Sequence, residues 1–342
     1  MKGISIKDIA KQAGVSPTTV SFVLNGKGKE KRISETVIKK INKIAAKLKY
    51  KPNQLARGLR TGKTKTIGLI VEDIANPFFS LLAKVVEDEA DKSGYKVLYS
   101  STEDNLAKAQ GLLEVLKYRQ VDGYIITPTK GLEKDIESLQ ETGKPLILID
   151  RYFPNVAASY VVLNNYQGAY DAAAHLVKQG YKNIGIITTT SSQVQMRDRF
   201  NGFEAALKAL QTPLQKQYIK RLPFDQQRPA FIAEMKKFLQ SVPELDAVFF
   251  ATNYLGIYGI ESIRSLGLTI GKDIGMISFD DHDIFRLNTP SISCVAQPIE
   301  EMGSQIVKVL MDEILVTTDV QHQIVLAPTL MIRESTTRAT TK

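Results

Sequence analysis

Residues 5–25 read Ser5-Ile6-Lys7-Asp8-Ile9-Ala10-Lys11-Gln12-Ala13-Gly14-Val15-Ser16-Pro17-Thr18-Thr19-Val20-Ser21-Phe22-Val23-Leu24-Asn25. Ser5 followed three residues later by Asp8 is a weak capping box, which starts a helix. Ile6, Ile9, Ala10 and Ala13 fall at i, i+3, i+4 and i+7, a single apolar face. Gly14 suits the left-handed position that ends a helix. Ser16-Pro17 then supplies an N-cap with proline at the first helical position. The second helix runs through Val20, Val23 and Leu24 to Asn25-Gly26. Two short helices joined by a glycine-containing turn predict a helix-turn-helix.

Outward from this stretch, a third helix starts near Ser34, with Val37, Ile38, Ile41, Ile44, Ala45 and Leu48 as its buried stripe. The lysine-rich segment Lys27–Arg32 before it reads as a loop. The chain has 342 residues and a net charge of +9, but that charge is uneven. Residues 1–66 hold 17 Lys and Arg against 3 Asp and Glu, a formal +14, and the remainder hold 28 against 33, a formal −5. A strongly basic three-helix head on a mildly acidic body points to a polyanionic partner for the head.

Pro52 pushes its predecessor out of helical geometry and stops the third helix. Asn53–Leu59 is helix-capable, but it is shorter than the roughly 12–15 residues an isolated helix needs in water, so it is expected to order on DNA or against a partner. Gly58-Leu59-Arg60-Thr61-Gly62-Lys63-Thr64 is like a phosphate-binding loop, but one residue too few separates its glycines and no strand precedes it.

From Thr66 the pattern changes to short apolar strands alternating with helices. The strands are predicted at 67–71, 97–99, 121–127, 146–149, 184–188, 245–251 and 274–279. Helices are predicted at 79–92, 105–119, 132–142, 166–179, 200–210 and 254–266. This alternation implies parallel sheets covered by helices, and about 270 residues exceed one comfortable core, so two lobes are expected. The single cysteine, Cys294, excludes an internal disulfide and a cysteine-based zinc cluster. His175, His282 and His322 are too far apart in sequence for a His-rich metal site, and no cofactor is implied. No apolar stretch resembles a signal peptide or a membrane span, so the expected compartment is the cytoplasm and no membrane partner is expected.

The head string Ser5–Ala10, Ala13–Ser16, Thr19–Ser21 and Leu24-Asn25, continued by Ile33-Ser34, Thr36, Ala45, Leu48–Tyr50, Pro52-Asn53, Ala56-Arg57 and Leu59, resembles the headpiece of lac-repressor-type (LacI/GalR) transcriptional regulators. Asn76–Phe79, Asp122-Gly123, Ile149–Arg151, Arg199–Phe203, Ser278–Asp281, Pro328-Thr329 and Arg333–Ser335 are similar to the periplasmic-binding-protein-type core of the same family. The resemblance implies a small all-α helix-turn-helix head on an α/β body of two doubly wound parallel-sheet lobes joined by three crossovers, placed near residues 162, 291 and 328. The domains expected are residues 1–50, the DNA-binding headpiece; 51–65, the hinge helix and linker; 66–162 plus 292–327, the N-terminal lobe; and 163–291 plus 328–342, the C-terminal lobe.

By the same resemblance the second helix enters the major groove, with Pro17, Thr18 and Phe22 near base edges. The full DNA-contacting set is Ser5, Ser16, Pro17, Thr18, Thr19, Ser21, Phe22, Asn25, Ser34, Thr36, Asn53, Ala56 and Leu59. Phe22 departs from the polar or basic reader common at its position; it cannot hydrogen-bond a base but can pack on thymine methyls. Leu59 is the expected minor-groove wedge of the hinge.

Open parallel sheets bind ligands beyond the carboxyl ends of their strands. The residues just past the strand ends, taken with the resemblance, give the effector set Asn76, Phe78, Phe79, Thr127, Asp150, Arg151, Arg197, Arg199, Phe224, Asn253, Phe279, Asp280 and Gln297. Aromatic faces for C–H surfaces, with carboxylate, amide and guanidinium groups for paired hydroxyls, suit a sugar. Asp281 is read as a helix cap, and Tyr254 stands where the family commonly has an acid. The expected function is a sequence-specific, cytoplasmic transcription regulator, a repressor. It binds a pseudo-palindromic double-stranded operator as a homodimer, under allosteric control by a small effector, a sugar. No catalytic residues are assigned. One rival is a transport solute-binding protein, which has no use for the head. The other is a glycosidase using Asp150 and Asp280.

Overall fold

The computed structural model describes residues 4–50, 62–224, 226–315 and 320–337. The chain divides into two compact units, residues 1–64 and 65–342. The expected hinge contacts Asn53, Ala56 and Leu59 lie outside the described residues.

The head is built of α1 (Ile6–Ala13), α2 (Pro17–Leu24) and α3 (Glu35–Lys47). The Ser5 backbone N–H and hydroxyl both donate to the Asp8 carboxylate, at 2.8 and 2.7 Å. Gly14 closes α1 at φ 67°, and the Ser16 hydroxyl accepts from the Thr19 N–H at 3.0 Å to open α2. Ile9, Ala10, Ala13, Val20, Val23, Ile41 and Ala45 make the core. Lys27–Arg32 is a folded turn: the N–H groups of Lys31 and Ile33 donate to the carbonyls of Lys27 and Gly28, each at 2.9 Å.

The body opens with β1 (Thr66–Val71), α4 (Pro77–Lys92), β2 (Lys96–Ser101), α5 (Leu106–Tyr118), β3 (Gly123–Ile126), α6 (Glu133–Glu141), β4 (Leu146–Ile149) and β5 (Ser159–Leu163). It continues with α7 (Asn165–Lys178), β6 (Ile184–Thr189), α8 (Val194–Ala209), β7 (Ile219–Leu222), α9 (Arg228–Ser241), β8 (Ala247–Phe250), α10 (Asn253–Ser265), β9 (Gly275–Phe279), α11 (Asp283–Leu287) and β10 (Ser293–Ala296). It ends with α12 (Ile299–Leu315), β11 (Gln323–Leu326) and β12 (Thr329–Met331).

Two sheets result, ordered β11-β5-β4-β3-β1-β2 and β12-β10-β9-β8-β6-β7. The first is parallel throughout. In the second only β12 runs antiparallel to its neighbour. Helices cover both faces of each, as buried parallel strands require, and each face has its own apolar cluster. The chain therefore crosses between lobes after β5, after β10 and after β11. The middle crossing differs from the expected one near residue 291. Cys294 and Val295 are registered against Ser278 and Phe279 of β9, so Ser293–Ala296 belongs to the second lobe and the chain returns at Gln297-Pro298. α12 then packs against α4 in the first lobe.

Helix α8 begins at Val194, six residues earlier than apolar periodicity predicts. Its first turns bury Gln195 and Arg199 beside Val194 and Met196. A buried face made partly of polar groups leaves no hydrophobic period to read. Asp281 is not a cap. His282 Nδ1 accepts from the Ile284 N–H to open α11, and Asp281 takes both Nη1 and Nη2 of Arg333, at 2.8 and 2.7 Å.

Candidate functional sites: a head surface and an interlobe cleft

On the head, Ser5, Ser16, Pro17, Thr18, Asn25, Ser34 and Thr36 are exposed, and Thr19, Ser21 and Phe22 are half-buried. Proline at the start of α2 leaves that helix end free of an unused N–H, with Thr18 beside it on the surface. Several of the small polar side chains are also bonded within the head. The Ser16 and Thr19 hydroxyls lie 2.9 Å apart, and the Asn25 amide donates to the Ser21 carbonyl at 2.7 Å. Such bonds hold hydroxyls and amides at the ends of α2 in fixed positions. The Lys31 ammonium lies 5.6 Å from the Phe22 ring centroid, which sets a cation beside a half-buried aromatic side chain of α2.

In the body a cavity opens between the lobes, with about 530 Å³ of empty space counting its mouth. Nine of the thirteen expected effector residues wall it: Asn76, Phe78, Phe79, Asp150, Arg151, Arg199, Phe224, Asn253 and Asp280. The other four do not. Thr127 is fully buried at the end of β3, and its hydroxyl has no hydrogen-bond partner. Arg197 lies on the exposed side of α8 and pairs with neighbouring Asp198 at 3.7 Å. Phe279 lies beneath the Arg199 guanidinium, 3.7 Å from its ring centroid. Gln297 acts one step removed, donating to the Asp280 carboxylate at 2.6 Å.

The two lobes present their carboxylates by the same device. Asp150 follows β4 at φ 66° and Asp280 follows β9 at φ 65°. This left-handed backbone is uncommon outside glycine, and aspartate is among the residues that tolerate it best. Strained positions of this kind cluster at functional sites. Asn76 opens α4 by accepting from the Phe78 N–H at 3.1 Å. The adjoining Phe78 and Phe79 pack edge to face, with centroids 4.9 Å apart.

Arg151 organises the first-lobe wall. Its Nε donates to the Pro128 carbonyl at 2.8 Å. Its terminal nitrogens meet Glu72 at 2.5 Å, Asp150 at 3.4 Å and Asp104 at 3.4 Å. Arg199 does the same for the second lobe. It donates to the Asn165 side-chain oxygen and the Ala251 carbonyl, each at 2.8 Å, and lies 3.7 Å from Asp280. Burial pushes the Asp150 carboxyl up to about 6, with Arg151 and Arg199 pulling against it and Glu72 and Asp280 adding to the rise. Burial also raises Asp104, again opposed by Arg151.

Among the described residues, two side-chain hydrogen bonds bridge the lobes across the cleft. The Asn253 amide donates to Asn76 Oδ1 at 3.0 Å, and the Gln193 amide donates to Asp104 at 3.0 Å.

Sequence reasoning missed several wall residues, among them Glu72, Asp104, Gln193, Gln195 and Met196, while Tyr254, singled out in the sequence, lines the wall as well. Glu72 directly follows β1, and Asp104 comes shortly after β2, so the strand-end rule reaches both when applied to every strand. In the first of those loops Asp73 is the more visible acid, but its carboxylate caps the Ala75 N–H at 2.8 Å. Gln193–Met196 give no signal, because the helix they begin is itself hidden.

Among the described residues no group of three His, Cys, Asp or Glu side chains is placed to hold a metal ion, and no helix is long and apolar enough to cross a membrane.

The family model for bacterial regulatory proteins of the lacI family matches residues 5–53, and that for the periplasmic binding protein-like domain matches residues 173–336. The ribose operon repressor of Haemophilus influenzae is 30% identical over 332 residues, 97% of this chain and 98% of the relative. The structure of the transcriptional regulator CelR in complex with cellobiose is similar at a TM-score of 0.72 and 25% identity, over 97% of this chain and 99% of that one. The lac repressor dimer bound to operator and the anti-inducer ONPF shares the fold at a TM-score of 0.85 and 22% identity, over 98% and 99%. A basic helix-turn-helix head and a two-lobed body with a cleft are thus matched nearly end to end, and the chain belongs to the lacI family of bacterial regulatory proteins.

Proposed function

We propose that a saccharide held between the two lobes sets the affinity of this regulator for a pseudo-palindromic operator, read by the heads of a homodimer. As a lacI-family member the chain is a DNA-binding transcription regulator of the repressor type. The observation that carries the ligand reading is the cavity wall. Phe78 and Phe79 offer apolar faces, and Asp150, Asp280 and Arg199 offer fixed polar groups from both lobes. This combination suits a ring with C–H faces and paired hydroxyls. The cellobiose of the CelR complex and the ribose operon in the relative's name agree with that class.

The cleft is read as a binding site rather than a hydrolytic one. Asp280 is engaged by Gln297 and lies beside Arg199, and Asp150 is paired with Arg151. Partnered carboxylates of this kind suit hydroxyl recognition. Incubation with candidate glycosides tests this, since any turnover would refute it.

The assignment is checked by melting the full chain in the presence of sugars and nucleosides, because a ligand of the folded state raises the melting temperature. The ligand so found is expected to change operator affinity by roughly 5–150-fold, the range of ordinary allosteric coupling. Asp280→Ala and Arg199→Ala are expected to lose that response while still binding operator. A normal response in both variants would sink the cleft assignment.

A further inference from the structure

Among the described residues, six charged side chains wall the cleft: Glu72, Asp104, Asp150 and Asp280 against Arg151 and Arg199. With all six ionised the wall carries two excess negative charges. Both cations, moreover, spend most of their donors on the protein, and in Arg199 only Nη2 stands outside those bonds. Arg151 is shared by a carbonyl and three carboxylates. Arg199 spends Nε and Nη1 on Asn165 and Ala251 and lies next to Asp280. An independent observation points the same way. Gln195, 6% exposed, lines the cavity, and its Oε1 is a buried acceptor without a hydrogen-bond partner. Its amide is turned instead toward Gln193, at 3.3 Å. The wall therefore offers acceptors in excess, and a buried acceptor left without a donor is costly.

We infer that the cleft takes a saccharide that is uncharged or carries an amino group, and that it rejects the phosphorylated and carboxylated forms of the same sugar. This rests on the saccharide reading above. Hydroxyl and ammonium groups donate to the carboxylates, and such charge-assisted bonds are the stronger kind. The added phosphate or carboxylate group brings mainly acceptors, into a low-dielectric site where like charges repel strongly. No uncommitted guanidinium fork receives it. Glu72 and Asp104 are the discriminating groups, because they convert Arg151 from an anion receptor into an internal counter-ion.

Isothermal titration calorimetry on the full chain tests the inference with glucose, galactose and mannose. Each is supplied as the free sugar, the 2-amino sugar, the 6-phosphate and the uronate, alongside ribose with its 5-phosphate and cellobiose. In the series that binds, the free or amino sugar is expected to bind at least about 100-fold more tightly than the anionic forms. A phosphate or uronate that binds as tightly as its neutral parent overturns the inference and leaves the saccharide reading intact. Binding by none of the series overturns both. Glu72→Gln, or Asp104→Asn should the first variant fold poorly, is expected to narrow the neutral-to-anionic gap at least tenfold. An unchanged gap in a folded variant refutes the charge account.

Discussion

Asp150 shows how a single side chain holds opposing demands. Burial raises its carboxyl to about 6 from an ordinary 3.8, although Arg151 and Arg199 both favour the ionised form. A folded-state value above the unfolded one means that the folded chain binds the proton more tightly between those limits. The cost of keeping Asp150 ionised is fully present above pH 6 and is relieved as the pH falls toward 4. Asp150→Asn removes that dependence. Denaturation curves from pH 7 to pH 4 should show the stability difference between variant and parent moving by up to about 3 kcal/mol, in favour of the parent at the acid end. A flat difference would mean that Asp150 titrates as an exposed carboxylate does. Asp150, Asp280, Asn76 and Asn253 could be found from sequence because each follows a strand whose apolar run is unmistakable. Gln195 could not: neutral, within a polar run, it differs from a surface glutamine only in what surrounds it.

Among the elements, strands with long apolar runs, such as Ile67–Val71, broken only by Gly68, and Leu146–Ile149, announce themselves. The short edge strands β11 and β12 do not, since half or more of their residues are exposed and no alternation separates them from loop. Helix α8 is the instructive failure, hidden at the end where it supplies the site. Its placement depends on Gly202, where a Cβ would lie 2.0 Å from the Tyr166 carbonyl oxygen on α7. That close approach lets Asn165 on α7 hold Arg199 on α8. Gly202→Ala is expected to destabilise the body by at least about 3 kcal/mol through overpacking and to abolish the melting response to ligand. Gly111→Ala is the contrast: it lies in the exposed part of α5 with nothing within 4 Å of a Cβ, so it should gain about 0.5–1 kcal/mol. Equal effects at the two sites, measured by chemical denaturation, would count against the close-packing account of α7 and α8.

For the molecule as a whole, charge divides the labour. The formal +14 of residues 1–66 and −5 of the remainder assign polyanion binding to one end. Each phosphate neutralised contributes a slope of roughly −0.9 in log affinity against log salt. With six to ten phosphate contacts, operator affinity is expected to fall by about 10³–10⁵ between 50 and 200 mM salt. Removing residues 1–60 should abolish operator binding while leaving the ligand-induced rise in melting temperature in place. Operator binding by the truncated body would refute the division.

The bond between the Asn76 and Asn253 amides joins the two lobes without any net charge. That clasp is neutral, while the Gln193–Asp104 bond beside it ends on a carboxylate and the head is governed by counter-ions. Ionic strength and effector concentration then become separate inputs to one switch. Osmotic stress would move the DNA-binding curve along its axis, and through reciprocal coupling the concentration of sugar at which the switch turns over on operator would move with it.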